Sequence, residues 1–150
     1  MTSPADCYTC TRNGKADQAQ PWEHIASDDL WRVAHAFNSA LPGWLVLMPR
    51  RHVTAIADLT DDEARALGTW QVRLSRALHE ALGCQKTYIA QFAEAEGFSH
   101  VHFHIVPRPS DLPRELRGPR IFQLLGAAGP QRIGEDQMTL IAAAIAAQLD

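Results

Sequence analysis

The chain has 150 residues, 46% of them hydrophobic and 21% charged, with a formal net charge of −3. A chain of this size fits one domain and buries roughly two thirds of its unfolded surface, enough for a core without disulfide staples. The composition excludes extensive disorder, a fibrous rod and a general polyanion binder, and no apolar run reaches the ~18 residues of a membrane span. Residues 1–6 show no basic patch followed by an apolar stretch, so no signal peptide is expected and a cytoplasmic location follows.

Residues 1–22 hold Pro4, Gly14 and Pro21 and have no periodicity. They read as a loose arm carrying Cys7 and Cys10 in a C-x-x-C pair. Residues 23–38 alternate around a polar break at Asp28-Asp29, which predicts two strands and a tight turn. Pro42-Gly43 marks another turn, and Trp44–Met48 is an apolar run of strand length ended by Pro49. Thr60 with Glu63 forms a capping-box pattern opening a long helix, with Ala64, Leu67, Leu74, Leu78 and Leu82 along one face. Gly83 suits its end. Residues 84–93 predict a strand, 94–99 a loop around Gly97, and His100–Val106 a further strand stopped by Pro107-Arg108-Pro109. The Pro- and Gly-rich stretch 107–134 reads as loop with an ordered piece near 121–125. A last helix over 135–149 places Met138, Ile141, Ile145 and Leu149 on one face. The result is an α+β fold: an antiparallel sheet of about five strands, one long helix across it and a C-terminal helix.

The strand at 100–106 carries the chemistry. Side chains alternate along a strand, so His100, His102 and His104 share one face while Val101, Phe103 and Ile105 enter the core. Three imidazoles in a row have little structural merit, because each ring has two nitrogens that need partners. Two chemistries fit the row. It could bind a metal directly, or one ring could act as nucleophile toward a phosphate while its neighbours stabilise charge. Cys7 and Cys10 have structural-zinc spacing, and no βαβ context nearby supports a redox pair.

The segment His100-Val101-His102-Phe103-His104-Ile105-Val106 resembles the signature of the histidine triad (HIT) superfamily of nucleotide hydrolases and transferases. Leu41–Val53, with Pro42-Gly43 and Pro49-Arg50-Arg51-His52, is similar to that family's Pro-Gly-His to Arg-His strand, and with the C-x-x-C pair the likeness covers roughly residues 7–108. The resemblance implies a nucleotidyl-histidine intermediate on His102 after attack at an α-phosphate. It implies that His104 contacts the phosphate and helps the leaving group, and that Asn38, Ser99 and Arg108 bind substrate. A structural zinc on Cys7, Cys10, His52 and His100 follows from zinc-containing members, which assigns His100 to the metal. The resemblance further implies a small-molecule nucleotide substrate, no nucleic-acid or membrane partner, and a homodimer. One HIT domain would span 1–150, with 1–22 as zinc-binding arm and 107–150 as C-terminal loop and helix. Trp44 stands where the family carries a histidine, and Glu94–Ser99 replaces a Gly-Gln-Ser/Thr run.

Overall fold

The computed structural model describes residues 3–126 and 131–150. Five strands, β1 (Ala26–Ser27), β2 (Trp31–His35), β3 (Leu45–Pro49), β4 (Lys86–Ala90) and β5 (Phe103–Arg108), form one sheet in the order β1-β2-β3-β5-β4. Every neighbouring pair is antiparallel. Among the described residues three α-helices accompany them: α1 (Tyr8–Asn13), α2 (Asp61–Leu82) and α3 (Glu135–Leu149). Among the described residues no helix is long and apolar enough to cross a membrane.

The polar break at Asp28 closes the β1–β2 hairpin, because its Oδ1 accepts the amides of Leu30 at 2.8 Å and Trp31 at 2.7 Å. Helix α2 starts as its sequence predicts. Thr60 Oγ1 accepts from the Glu63 amide at 3.1 Å, and Glu63 Oε1 accepts from the Thr60 amide at 2.8 Å. Glu63 is buried, and Arg51 reaches the same carboxylate at 2.7 Å. The helix ends on Gly83 at φ +64°, in the left-handed region that glycine occupies without strain.

The buried stripe of α2 is rotated from the predicted one. It runs through Trp70, Leu74, Ala77 and Leu78, whereas Ala64 and Leu82 are exposed. Trp70 sets the rotation by packing into the core while its indole N–H donates to Asp28 Oδ2 at 2.8 Å. Helix α3 buries Met138, Ile141, Ala142 and Ile145 on the same side. Trp31, Val33, Leu45, Leu47, Phe103 and Ile105 meet these helices from the sheet. A second cluster, with Trp44, Val106, Leu112 and Ile121, lies apart from the first.

Three expectations need correcting. The N-terminal arm is not irregular throughout: Cys7 caps α1, its sulfur accepting from the Cys10 amide at 3.4 Å. The triad strand also begins later and ends later than its sequence suggests, because β5 runs through Pro107 to Arg108. Its pairing with β3 ends at Ile105, so from Val106 onward it has only β4 as neighbour, and a proline is tolerated where one side has no ladder to break. The stretch after residue 108 holds 3-10 turns at Arg114–Leu116 and Gly118–Leu124, more order than expected. Its part at 127–130 lies outside the described residues.

Leu74 is fully buried where α2 meets the sheet. Leu74→Ala is expected to lower unfolding free energy by about 2–5 kcal/mol in urea titration. A change below about 1 kcal/mol would show that this interface does not carry the core.

Candidate active site and metal centre

Four residues from three parts of the chain converge beside the start of β5. Cys7 and Cys10 come from the arm, His52 from the turn after β3, and His100 from the approach to β5. Their ligand atoms all lie within 4.8 Å of one another. His100 Nδ1 is 3.5 Å from Cys7 Sγ and 3.6 Å from Cys10 Sγ, and His52 Nδ1 is 3.2 Å from Cys10 Sγ. A tetrahedral zinc with bonds of about 2.3 Å to sulfur and 2.0 Å to nitrogen holds its ligand atoms about 3.3–3.8 Å apart. The set therefore fits a structural zinc ion, with two thiolates and two imidazoles closing the coordination sphere.

The surroundings agree. His100 Nε2–H donates to the Pro49 carbonyl at 2.8 Å, which leaves Nδ1 as the ligating nitrogen. Burial holds the His100 ring down to about 4, so it stays neutral, as a ligand must. Burial and the adjacent Cys7 push the Cys10 thiol up to about 11, a direction that a divalent cation at this point reverses.

The next two histidines face a different environment. His102 Nδ1–H donates to the His100 carbonyl at 2.8 Å, so Nε2 carries the free lone pair. His104 is buried, and its Nδ1 accepts the indole N–H of Trp44 at 3.0 Å. That contact places the His104 proton on Nε2. Its ring packs edge-on against His102 at 5.0 Å and against Phe122 at 5.0 Å. Burial, then the nearby His102, hold His104 down to about 4.

His102 and His104 line a cavity of about 350 Å³. Ala34 and Val46 continue its floor in register with His104 across β2, β3 and β5. Asn38 lines it too. Ser99 and Arg108 are not among the lining residues. Ser99 leads into His100. Arg108 lies four positions beyond His104 on β5, about 13 Å at strand rise, with its Nη1 3.5 Å from the Pro109 carbonyl. Glu94 stands exposed at the cavity wall and Glu96 is exposed outside it. The C-terminal stretch borders the cavity through Phe122 and Leu125.

Other contributors had no motif to announce them. Arg12 and Tyr8 come from α1, Trp22 and Glu23 from the end of the arm, and Arg32 from β2. The only available signal for Arg32 is a charge in the middle of an alternating strand. His35 has a structural use: Nδ1–H donates to the Ala36 carbonyl at 2.8 Å and Nε2 accepts from the Gly43 amide at 2.9 Å.

Comparison with known families matches residues 18–111 to the HIT domain. This is more than half of the chain, and the protein belongs to the HIT domain family, whose members are in general nucleotide-binding hydrolases and transferases. No curated protein matches by sequence. Similar solved structures include a Zn-bound histidine triad family protein from Mycobacterium smegmatis (19% identity, TM-score 0.67, 97% of this chain and 96% of that one). A Hit-like protein from Bartonella henselae shares 18% identity at TM-score 0.68 over 89% and 90% of the two chains. A histidine triad protein from Bradyrhizobium japonicum shares 26% identity at TM-score 0.66 over 85% and 90%.

Metal analysis of the purified protein is expected to find one zinc per chain. Chelation should lower Tm, and Cys10→Ser should abolish stoichiometric binding; a Cys10→Ser protein retaining full zinc would disprove the site. The histidines make a second expectation. His104 has a folded pKa of about 4, below its ordinary 6.5, so between these values the unfolded chain binds more protons. The stabilisation from its neutral state is complete above pH 6.5 and is lost as pH falls toward 4. His104→Gln should flatten urea-derived stability across that window by up to about 1.4 kcal/mol per pH unit. An unchanged profile would refute the buried neutral state.

Proposed function

We propose that this protein is a nucleotide hydrolase or nucleotidyltransferase that acts at an α-phosphate through a nucleotidyl-histidine intermediate on His102. The observation that carries this reading is the bond from His102 Nδ1–H to the His100 carbonyl, on a ring that lines the cavity. It fixes the tautomer whose Nε2 is nucleophilic. Nε2 attacks phosphorus and the bond to the leaving group breaks; the neutral His104 donates an Nε2–H hydrogen bond to the phosphate oxygens at the departing atom, which takes its proton from solvent. Water, or another acceptor, then attacks phosphorus, the phosphorus–nitrogen bond breaks, and the nucleotide leaves with His102 restored. Dinucleoside polyphosphates and nucleoside phosphoramidates are the substrate classes. Asn38 binds the sugar from the cavity wall; Ser99 and Arg108 lie outside it, and any contact of theirs is with parts of the substrate beyond the cavity.

Zinc on Cys7, Cys10, His52 and His100 holds the arm against the sheet and takes no part in the chemical step. The division of the triad supports this over a catalytic metal, because the metal-ligating group among the described residues takes His100 and leaves His102 and His104 out. We place the chain in the cytoplasm, where reduced thiols stay available as ligands. A homodimer would form through the outer strand β4, whose Ile89 is 45% exposed. Residues 1–150 form one HIT domain, with the arm at 1–22 and the C-terminal loop and helix at 107–150.

Wild type is expected to turn over at least one of adenosine phosphoramidate, a diadenosine polyphosphate or an AMP conjugate. His102→Ala should reduce turnover to background and keep its zinc. Full activity in His102→Ala would remove the nucleophile assignment, loss of its zinc would make the triad the metal site, and nucleotide binding without turnover would make the protein a binding module.

A further inference from the structure

Arg32 is the second residue of β2 and is 4% exposed. Its neighbours Trp31 and Val33 join the helix-side core, so alternation turns Arg32 and Ala34 to the cavity face. The guanidinium is held on three sides. Nε donates to Asn13 Oδ1 at 2.6 Å, Nη1 to the Glu23 carbonyl, and Nη2 to the thioether of Met48 at 3.1 Å. A guanidinium has five N–H groups, and a thioether is a weak acceptor.

Among the described residues no carboxylate forms an ion pair with it, and Glu23 acts on it only as a nearby charge. The ion pairs among the described residues join Arg12 to Glu23, Arg51 to Glu63 and Arg65 to Asp62. Burial lowers the pKa of Arg32 from its ordinary value, the direction expected of an uncompensated buried cation. Trp22 lines the same cavity, is 7% exposed, and its indole N–H is buried without an acceptor. Two donor-only side chains with N–H groups to spare therefore border one end of the cavity. Buried donors left unmet are costly, and oxygen acceptors from a ligand would satisfy them. The carboxylate nearby, Glu23, already uses Oε1 on Arg12 at 3.3 Å and Oε2 on the Gln20 amide at 2.8 Å.

Arg32 lies two strands from the histidines, about 10 Å at ordinary strand spacing. A nucleoside monophosphate with its phosphate at His102 covers that span to the edge of its base. The floor between is Ala34 and Val46, small enough for a flat ring. We propose that Arg32 and Trp22 form the base-reading end of the cavity and select a base with a carbonyl edge, a 6-oxopurine, over adenine. This rests on the nucleotide reading of the site and names its substrate class. The 6-oxopurine presents O6 and N7, two acceptors that an arginine fork can take together, whereas adenine presents an amino group toward donors.

The test is calorimetric binding of IMP and AMP, which differ at ring position 6, to the zinc-loaded full chain. IMP should bind tighter by roughly 5- to 150-fold, the discrimination of one bidentate arginine pair. Trp22→Phe should reduce the preference, and Arg32→Met, checked for folding by circular dichroism, should abolish it. AMP binding as tightly as IMP in the wild type overturns this inference alone, as does a preference that survives Trp22→Phe and a folded Arg32→Met unaltered. Failure of both nucleotides to bind overturns the proposed function and this inference with it.

Discussion

One residue, His100, is tied in three directions. Its Nδ1 faces the two cysteines, its Nε2–H is spent on the Pro49 carbonyl, and its own carbonyl receives the Nδ1–H of His102. The first two contacts make it a metal ligand of defined tautomer. The third hands a defined tautomer to the next histidine. Backbone and ring are thus used for different centres, and a shift of His100 would disturb both.

Trp44 does the corresponding service for His104. A histidine at this position could donate or accept, and its effect would depend on pH. An indole N–H only donates, so His104 Nδ1 is an acceptor at every pH at which the ring is neutral. Trp44 is fully buried and packs edge-on to Phe122 at 5.1 Å, so the donor is held by the second hydrophobic cluster. Trp44, standing where the family carries a histidine, therefore fixes the proton position of His104 beside His102.

Much of this was legible in the residues. Alternation in His100–Ile105 separates imidazoles from core residues, and Thr60 with Glu63 marks the start of α2. The zinc set was accessible only through resemblance, since no spacing rule links Cys7 and Cys10 to histidines 42 to 93 positions away. The orientation of α2 was misread because leucines were weighted over Trp70, whose partner Asp28 is remote in sequence. Arg32, Trp22 and Glu23 were invisible as a group. Their proximity arises from the chain's return beside β2, where the His35 amide donates to the Trp22 carbonyl at 2.8 Å.

The arm then has more to do than carry cysteines. Helix α1 begins at a ligand, Cys7, and ends at Asn13, whose carboxamide oxygen accepts from Arg32. Between them Tyr8 and Arg12 enter the cavity wall, Tyr8 packing against Phe37 at 5.4 Å and Phe98 at 5.1 Å. A helix of six residues is too short to hold its shape by propensity alone. Its order comes from what binds each end: the metal ligands at one, the buried guanidinium at the other. The metal centre, the cavity wall and the residue proposed to read the base are in this way parts of one packed unit, so a structural zinc also shapes the cavity.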